Sequence, residues 1–240
     1  MISIIIPTLN EERVIERTLK NLRSIHSVPY EIIVADTKST DRTGEIATQY
    51  DATLTIYNGT KKPNAAIIRN LGAAAAKGDV FLFQDADVIL KDVDHFVVRA
   101  LAVLKNDSKI VALTAAARVE PESENWMDRF MYAMINMTFV LLNNVFHIGG
   151  ASGECMIVRR EAFEKIGGFN EALPVAEDNE LFQKLARIGR TRILTDLVTL
   201  QTGRRQHAIG WPRLLLQWWS SWVSMTFFGK SASSDWEEVR

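Results

Sequence analysis

Val80-Phe81-Leu82-Phe83-Gln84-Asp85-Ala86-Asp87 is the stretch on which the fold turns. Its unbroken apolar run describes a strand covered on both faces, since a half-exposed strand would alternate with polar residues. The run ends at two aspartates one residue apart. Paired carboxylates at the end of a buried strand suit a hard divalent cation, which takes oxygen ligands and shares them with a diphosphate. A strand-end turn with two solvated aspartates has the same pattern, and spacing alone does not separate the two readings.

Upstream, Asn64 to Lys77 is alanine-rich and helical by propensity, with Gly78 as its stop. Leu54 to Tyr57 is a short strand and Thr43 to Tyr50 a short helix. Glu31-Ile32-Ile33-Val34-Ala35 is a second buried strand, ended by Asp36, and Ser3-Ile4-Ile5-Ile6-Pro7 is another, stopped by proline. Asn10 is placed to cap the next helix, with Glu11 and Glu12 in its first turn. Val14, Ile15, Leu19, Leu22 and Ile25 recur on one face of that helix. Continuous apolar strands alternating with helices give an α/β fold with a mainly parallel sheet covered on both sides. Ligands of such sheets gather at the carboxyl ends of the strands. The residues to weigh are therefore Thr8 and Asn10, then Asp36, then Asp85 and Asp87.

Downstream, Asp94 to Lys105 is a helix, Ile110 to Val119 a strand, and Trp126 to Phe146 a long apolar helix. His147 to Gly153 is a glycine-rich loop, followed by a strand from Glu154 to Arg160, a helix from Glu177 to Ile188 and a short strand from Arg192 to Thr195. Ala176-Glu177-Asp178-Asn179-Glu180 crowds three carboxylates at a helix start. Such crowding serves the helix dipole, or it supplies a general base. In Asp36-Thr37-Lys38-Ser39-Thr40-Asp41, Asp36 is positioned to receive a base or ribose, and Asp41 to cap the next helix.

The 240 residues carry 28 basic and 29 acidic side chains and are 47% hydrophobic, a globular profile with no call for a nucleic-acid partner. The single cysteine, Cys155, excludes an internal disulfide and a cysteine-based zinc site, so an intracellular, cytoplasmic protein is expected. Met1 to Pro7 lacks the basic start and apolar length of a signal peptide. Phe130 to Phe146 and Leu214 to Gly229 are uncharged, but they fall short of the about 20 mostly apolar residues of a spanning helix. Either is suited to lying on a membrane surface. No dinucleotide glycine fingerprint, phosphate-binding glycine–lysine loop or nucleophile elbow is present.

In order along the chain, these blocks resemble the family 2 glycosyltransferases, whose fold is GT-A. The matching segments are Ile4 to Glu12, Glu31 to Thr43, Arg69-Asn70-Leu71-Gly72 through Asp79, Gln84-Asp85-Ala86-Asp87, Gly150 to Glu171 and Ala176-Glu177-Asp178. The resemblance implies transfer of a sugar from a nucleoside-diphosphate donor to an acceptor hydroxyl, with inversion. That hydroxyl would belong to a glycan or a lipid-linked acceptor. It implies Mg²⁺ or Mn²⁺ on Asp87 and Asp85, with His207 a further candidate ligand. It assigns donor and acceptor contacts to Pro7, Thr8, Asn10, Glu11, Asp36, Arg69, Asp85, Gly150, Ser152, Gly153 and Arg205. Asp178 would be the base and Glu177 its neighbour in the catalytic pair. Thr37 stands where many members carry a second aspartate, which leaves the nucleotide base open.

The resemblance places a transferase domain at 1–205, with a nucleotide-sugar half at 1–90 and an acceptor half at 91–205. A flexible basic loop and a tryptophan-rich amphipathic tail follow at 206–240. Arginines beside Trp211, Trp218, Trp219 and Trp222 suit peripheral contact with the cytoplasmic face of a membrane through 211–229. A helix packed on the core, or on a second subunit in a homodimer, fits the same apolar stripe. Two alternatives accompany this reading. One is a polyprenyl-phosphate sugar synthase, with Arg118 or Arg129 holding the lipid phosphate; the other is a non-catalytic nucleotide-binding scaffold.

Overall fold

Ile2–Thr8 (β1) is buried almost throughout because parallel strands flank it on both sides, Tyr30–Asp36 (β2) and Val80–Gln84 (β4). The computed structural model describes residues 1–228; the end of the tail expected at 206–240 lies outside them. Between these strands run the helices Ile15–Leu22 (α1), Thr43–Gln49 (α2) and Ala65–Ala75 (α3), and the outer strand Thr53–Ile56 (β3). The second half adds Ile89–Leu90 (β5), Val93–Asn106 (α4), Ile110–Val119 (β6), Trp126–Val140 (α5), Cys155–Arg159 (β7), Arg160–Lys165 (α6), Glu177–Ala186 (α7) and Arg190–Gln201 (β8). Arg204–Ile209 (α8) and Trp211–Phe228 (α9) follow among the described residues.

The eight strands of the described residues form one sheet, in the order β3-β2-β1-β4-β7-β6-β8-β5. Four of its seven pairings are parallel; β7 runs antiparallel between β4 and β6, and β5 antiparallel to β8. The mainly parallel expectation therefore holds for the first half, and the second half is mixed. Alternate residues of one strand serve the two faces: Ile4 and Ile6 join α1 and α4 in one core, while Ile5 joins α3, α6 and α7 in the other.

Several boundaries differ from the sequence expectations. Asn10 does not cap α1, which starts after Val14; Asn10 takes a left-handed conformation (φ 55°) inside the preceding loop. Glu11 and Glu12 likewise precede the helix. The third helix ends at Ala75, with Ala76 already extended, rather than at Gly78. The apolar helix from Trp126 is α-helical to Val140 and finishes as a π-turn over Leu141–Val145. The expected four-residue strand at Arg192 is one third of the 12-residue β8. A register irregularity against β6 and the polar residues around Asp196 hid its length.

The expected flexible basic loop is the short helix α8. Trp211 and Leu214 of α9 pack on Ala117, Val119 and Tyr132, so the start of the tail belongs to the core. Leu216 and Trp219 of the same helix are exposed. No helix among the described residues is long and apolar enough to cross a membrane.

Candidate active site

The carboxyl ends of β1, β2 and β4 bring their trailing loops together, as a parallel sheet dictates. Asp36 at the end of β2 is only 4% exposed. Its carboxylate accepts from the Thr8 hydroxyl (2.8 Å), the Ser39 N–H (2.7 Å) and the Ser39 hydroxyl (2.6 Å). The Asn10 N–H donates to Ser39 Oγ (2.8 Å), and Asn10 Oδ1 accepts from the Thr40 N–H (2.8 Å). Asp41 accepts from the N–H and hydroxyl of Thr43, the first residue of α2. Asp36 and Asn10 thus lock two loops together, and the half-buried Pro7 lies in the strand between those loops and the core.

Arg69 ties the sheet to the acidic start of α7. Asn64 caps α3 by accepting from the Ile67 N–H (2.9 Å), which sets Arg69 in the second turn facing inward. The side chain is buried, at 3% exposure. Its Nη1 donates to Glu177 Oε1 (2.6 Å); its Nη2 donates to Asp85 Oδ1 (2.9 Å) and to the Gly153 carbonyl (3.2 Å). The guanidinium lies 5.6 Å from the centre of the Phe169 ring. A Cβ at 153 would sit 2.8 Å from Arg69 Nη2, so a larger residue there would displace the guanidinium.

Asp178 follows Glu177 in the first turn of α7, where it is half-buried. Its Oδ1 accepts from the Asn179 N–H (2.7 Å) and side-chain amide (3.1 Å). Burial holds both carboxyls above the ordinary carboxylate range, and their mutual repulsion adds to this for Glu177, with Arg69 acting against the rise. Gly150 is fixed from the opposite side: buried Asn143 donates to its carbonyl (2.7 Å) and accepts from its N–H (3.2 Å). Ser152 donates to Glu154 Oε2 (3.1 Å).

Glu154 is the residue that sequence reasoning missed. Burial, with the nearby charge of Asp85, pushes its carboxyl up to about 7. The available signal was a charged residue opening an otherwise apolar strand directly after the glycine-rich loop.

Asp87 is met from α8. Its Oδ2 accepts from Arg204 Nη2 (3.0 Å) and Nε (3.2 Å) and from the Thr202 hydroxyl (3.3 Å). The same Nη2 lies 3.6 Å from Glu11 Oε2. The arginine facing the aspartate pair is therefore Arg204, whereas the sequence reading singled out Arg205. His207 is not brought to Asp87. Its Nε2 lies 2.8 Å from Oδ2 of fully buried Asp128, whose Oδ1 accepts from Trp211 Nε1 (2.8 Å). Arg204 and His207, one turn apart on α8, reach different carboxylates, Asp87 and Asp128. Arg118 and Arg129 both close on the buried Glu124 (2.8 and 2.7 Å), which occupies the guanidinium groups suggested for a lipid phosphate.

Among the described residues, no cluster of three or more carboxylate, histidine or cysteine side chains is arranged to hold a metal ion. Asp85 and Asp87 supply two oxygen donors of the kind a hard divalent cation prefers, with the remaining positions open to diphosphate and water. The surroundings fit an added cation. Burial and the neighbouring aspartates raise Glu11, Asp85 and Glu154 above their usual ranges, so positive charge is in deficit there.

A family model described as glycosyl transferase family 2 matches residues 3–167. The chain belongs to this family. It is 31% identical over 205 residues to "Probable glycosyltransferase YdaM" of Bacillus subtilis (strain 168), an alignment covering 78% of this chain and 47% of that protein. Among solved structures it resembles the mannosyltransferase PcManGT from Pyrobaculum calidifontis in complex with GDP-Man and Mn²⁺, with a TM-score of 0.66 and 23% identity. That match covers 84% of this chain and 56% of the other. It also resembles S. aureus TarS 1–349 in complex with UDP-GlcNAc, with a TM-score of 0.65 and 23% identity, covering 83% and 58%.

These likenesses establish a GT-A fold for the family 2 chain. The chain spans about half the length of these relatives.

Proposed function

We propose that this glycosyltransferase moves a sugar from a nucleoside-diphosphate donor to an acceptor hydroxyl, with inversion and with a divalent metal. The observation that carries the reading is the buried Arg69, which joins Asp85 of the aspartate pair to Glu177 of the catalytic pair through one guanidinium. A single rigid group thereby sets the distance between the donor's diphosphate and the acceptor's base.

Residues 1–90 would hold the nucleotide and residues 91–205 the acceptor. The loops locked by Asp36 and Asn10 would form the nucleoside side, with Pro7, Thr8 and Glu11. Asp85 and Asp87 would hold Mg²⁺ or Mn²⁺, which when bound supplies Lewis-acid charge against the negative charge developing on the diphosphate. Arg204 occupies Asp87 before that and would turn to phosphate oxygens, which its planar fork matches. Asp178 would accept the proton of the acceptor hydroxyl as its oxygen bonds to the anomeric carbon. The bond from that carbon to the diphosphate breaks, and the electron pair leaves with the nucleoside diphosphate. Direct attack opposite the leaving group inverts the centre. Gly150, Ser152 and Gly153 would shape the acceptor side.

A hydroxyl acceptor is favoured over a lipid phosphate because the Asp178 carboxylate stands ready as a base and Arg118 and Arg129 are engaged on Glu124. The test is release of nucleoside diphosphate from a panel of UDP- and GDP-sugars in Mn²⁺. Release from one donor, stopped by EDTA and restored by added metal, is expected. Absence of release from the whole panel, or release indifferent to EDTA, would contradict the proposal.

A further inference from the structure

We infer that the outer face of α5 and its π-turn is a docking surface for an anionic lipid bilayer. Trp126, Phe130, Met134, Met137, Leu141, Val145, Phe146 and Ile148 are between 41% and 73% exposed. Successive members lie mostly three or four residues apart, which places them along one side of the helix. A run of large apolar side chains exposed along one helix face is uncommon on a soluble monomer and marks an interaction surface. The opposite side of α5 is satisfied: Tyr132, with Met127, Met131 and Ile135, packs against Trp211, Leu214 and Trp218. The exposed stripe is therefore not needed to hold α5 in place.

Charge selects the occupant. No acidic residue occurs between Asp128 and Glu154, and Asp128 is fully buried. Exposed Arg129 stands at the start of the stripe, where its partner Glu124 is itself buried and Glu122 is the nearby exposed acid. At the far end, Asn144 exchanges hydrogen bonds with the backbone of Ile193 (both 3.1 Å), which sets the stripe beside exposed Arg190 and Arg192 of β8. Gly149 abuts Phe182 of α7, whose last turn leads to exposed Arg187. Asp107 lies on that flank, 4.0 Å from Arg190, and exposed Asp196 of the same strand pairs with Arg99.

A chain of net charge −1 thus places arginines around this apolar face. Pairing two copies through the stripe would set arginine ends against one another in an antiparallel contact and repeat them side by side in a parallel one. A bilayer with anionic headgroups complements both ends and takes the tryptophan, phenylalanine and methionine side chains between them.

Vesicle flotation of this chain tests the inference without reference to turnover. Vesicles of phosphatidylcholine with phosphatidylglycerol should carry the chain upward, and pure phosphatidylcholine should carry much less. Phe130→Ser combined with Met137→Ser should weaken partitioning by about tenfold or more. Arg187→Gln, Arg190→Gln and Arg192→Gln together should remove the preference for anionic lipid. Each variant should keep the wild-type melting temperature, since the substituted side chains are exposed. Equal flotation of wild type and the apolar variant would overturn the proposal. So would failure to bind vesicles, including the case in which the wild type sediments as a dimer that the apolar variant disperses.

Discussion

Asp178→Asn will lower sugar transfer by about 10²–10⁴-fold, the usual contribution of a positioned general base. The substitution is nearly isosteric, and the new side-chain carbonyl can still accept the Asn179 N–H that Asp178 Oδ1 now takes at 2.7 Å. The start of α7 should therefore stay in place. Arg69 bonds to Glu177 and Asp85 rather than to Asp178, so the aspartate pair keeps its partner and metal-dependent nucleotide binding should change little. Transfer would fall while donor binding persists, the signature of a group used chiefly in the transition state.

As the proposed base, Asp178 should also set a pH dependence. Its carboxyl lies above the ordinary aspartate range, chiefly through burial, and the base works only when ionised. Wild-type transfer should rise with pH through a limb displaced upward from that of a solvated aspartate. Undiminished transfer by the asparagine variant would remove Asp178 from the mechanism.

Arg69→Leu should be the most destabilising substitution in the site. It leaves Glu177, 8% exposed, without its cation, and it strips Asp85 of its one hydrogen-bonded guanidinium. Breaking a buried ion pair from one side costs about 3–5 kcal/mol, because the remaining charge must be neutralised or hydrated in place. At 240 residues this corresponds to roughly 10 °C in melting temperature. Glu177→Gln added to Arg69→Leu should recover part of that stability, since the stranded charge is gone, yet transfer should remain low. Lysine at 69 should rescue incompletely, because an ammonium cannot reproduce the planar fork that serves Glu177, Asp85 and the Gly153 carbonyl together. Thermal unfolding of the four proteins checks this. A wild-type melting temperature for Arg69→Leu would show that the bridge contributes nothing.

The first half of the fold was readable because its physics is local. Ile4 to Ile6, Ile32 to Ala35 and Val80 to Phe83 are apolar without interruption, and parallel strands buried on both faces look like that. The antiparallel direction of β7 was not readable, since Met156 to Val158 form the same kind of apolar run whichever way the strand points. Asp85, Asp87, Glu177 and Asp178 were identifiable as carboxylates at element ends. That one arginine joins the first to the third was not, because Arg69 and Glu177 are 108 residues apart and meet only through the sheet. Arg204 and Arg205 pose a related problem. Tandem arginines are indistinguishable until a short helix turns one toward Asp87, and the same helix carries His207 to Asp128. Asn10 was misread as a cap because its residue type suits caps and loop locks equally.

The central claim is that Asp85 and Asp87 build a metal-dependent site for a nucleoside diphosphate. The measurement that tests it most directly is thermal unfolding with UDP, GDP, CDP and dTDP, each with and without Mn²⁺, on wild type and on Asp87→Ala. A ligand that binds only the folded state raises the melting temperature. The account predicts a rise for one nucleotide class in wild type, present only with Mn²⁺ and lost in Asp87→Ala. A rise of equal size in the variant, or none with any nucleotide, would contradict it.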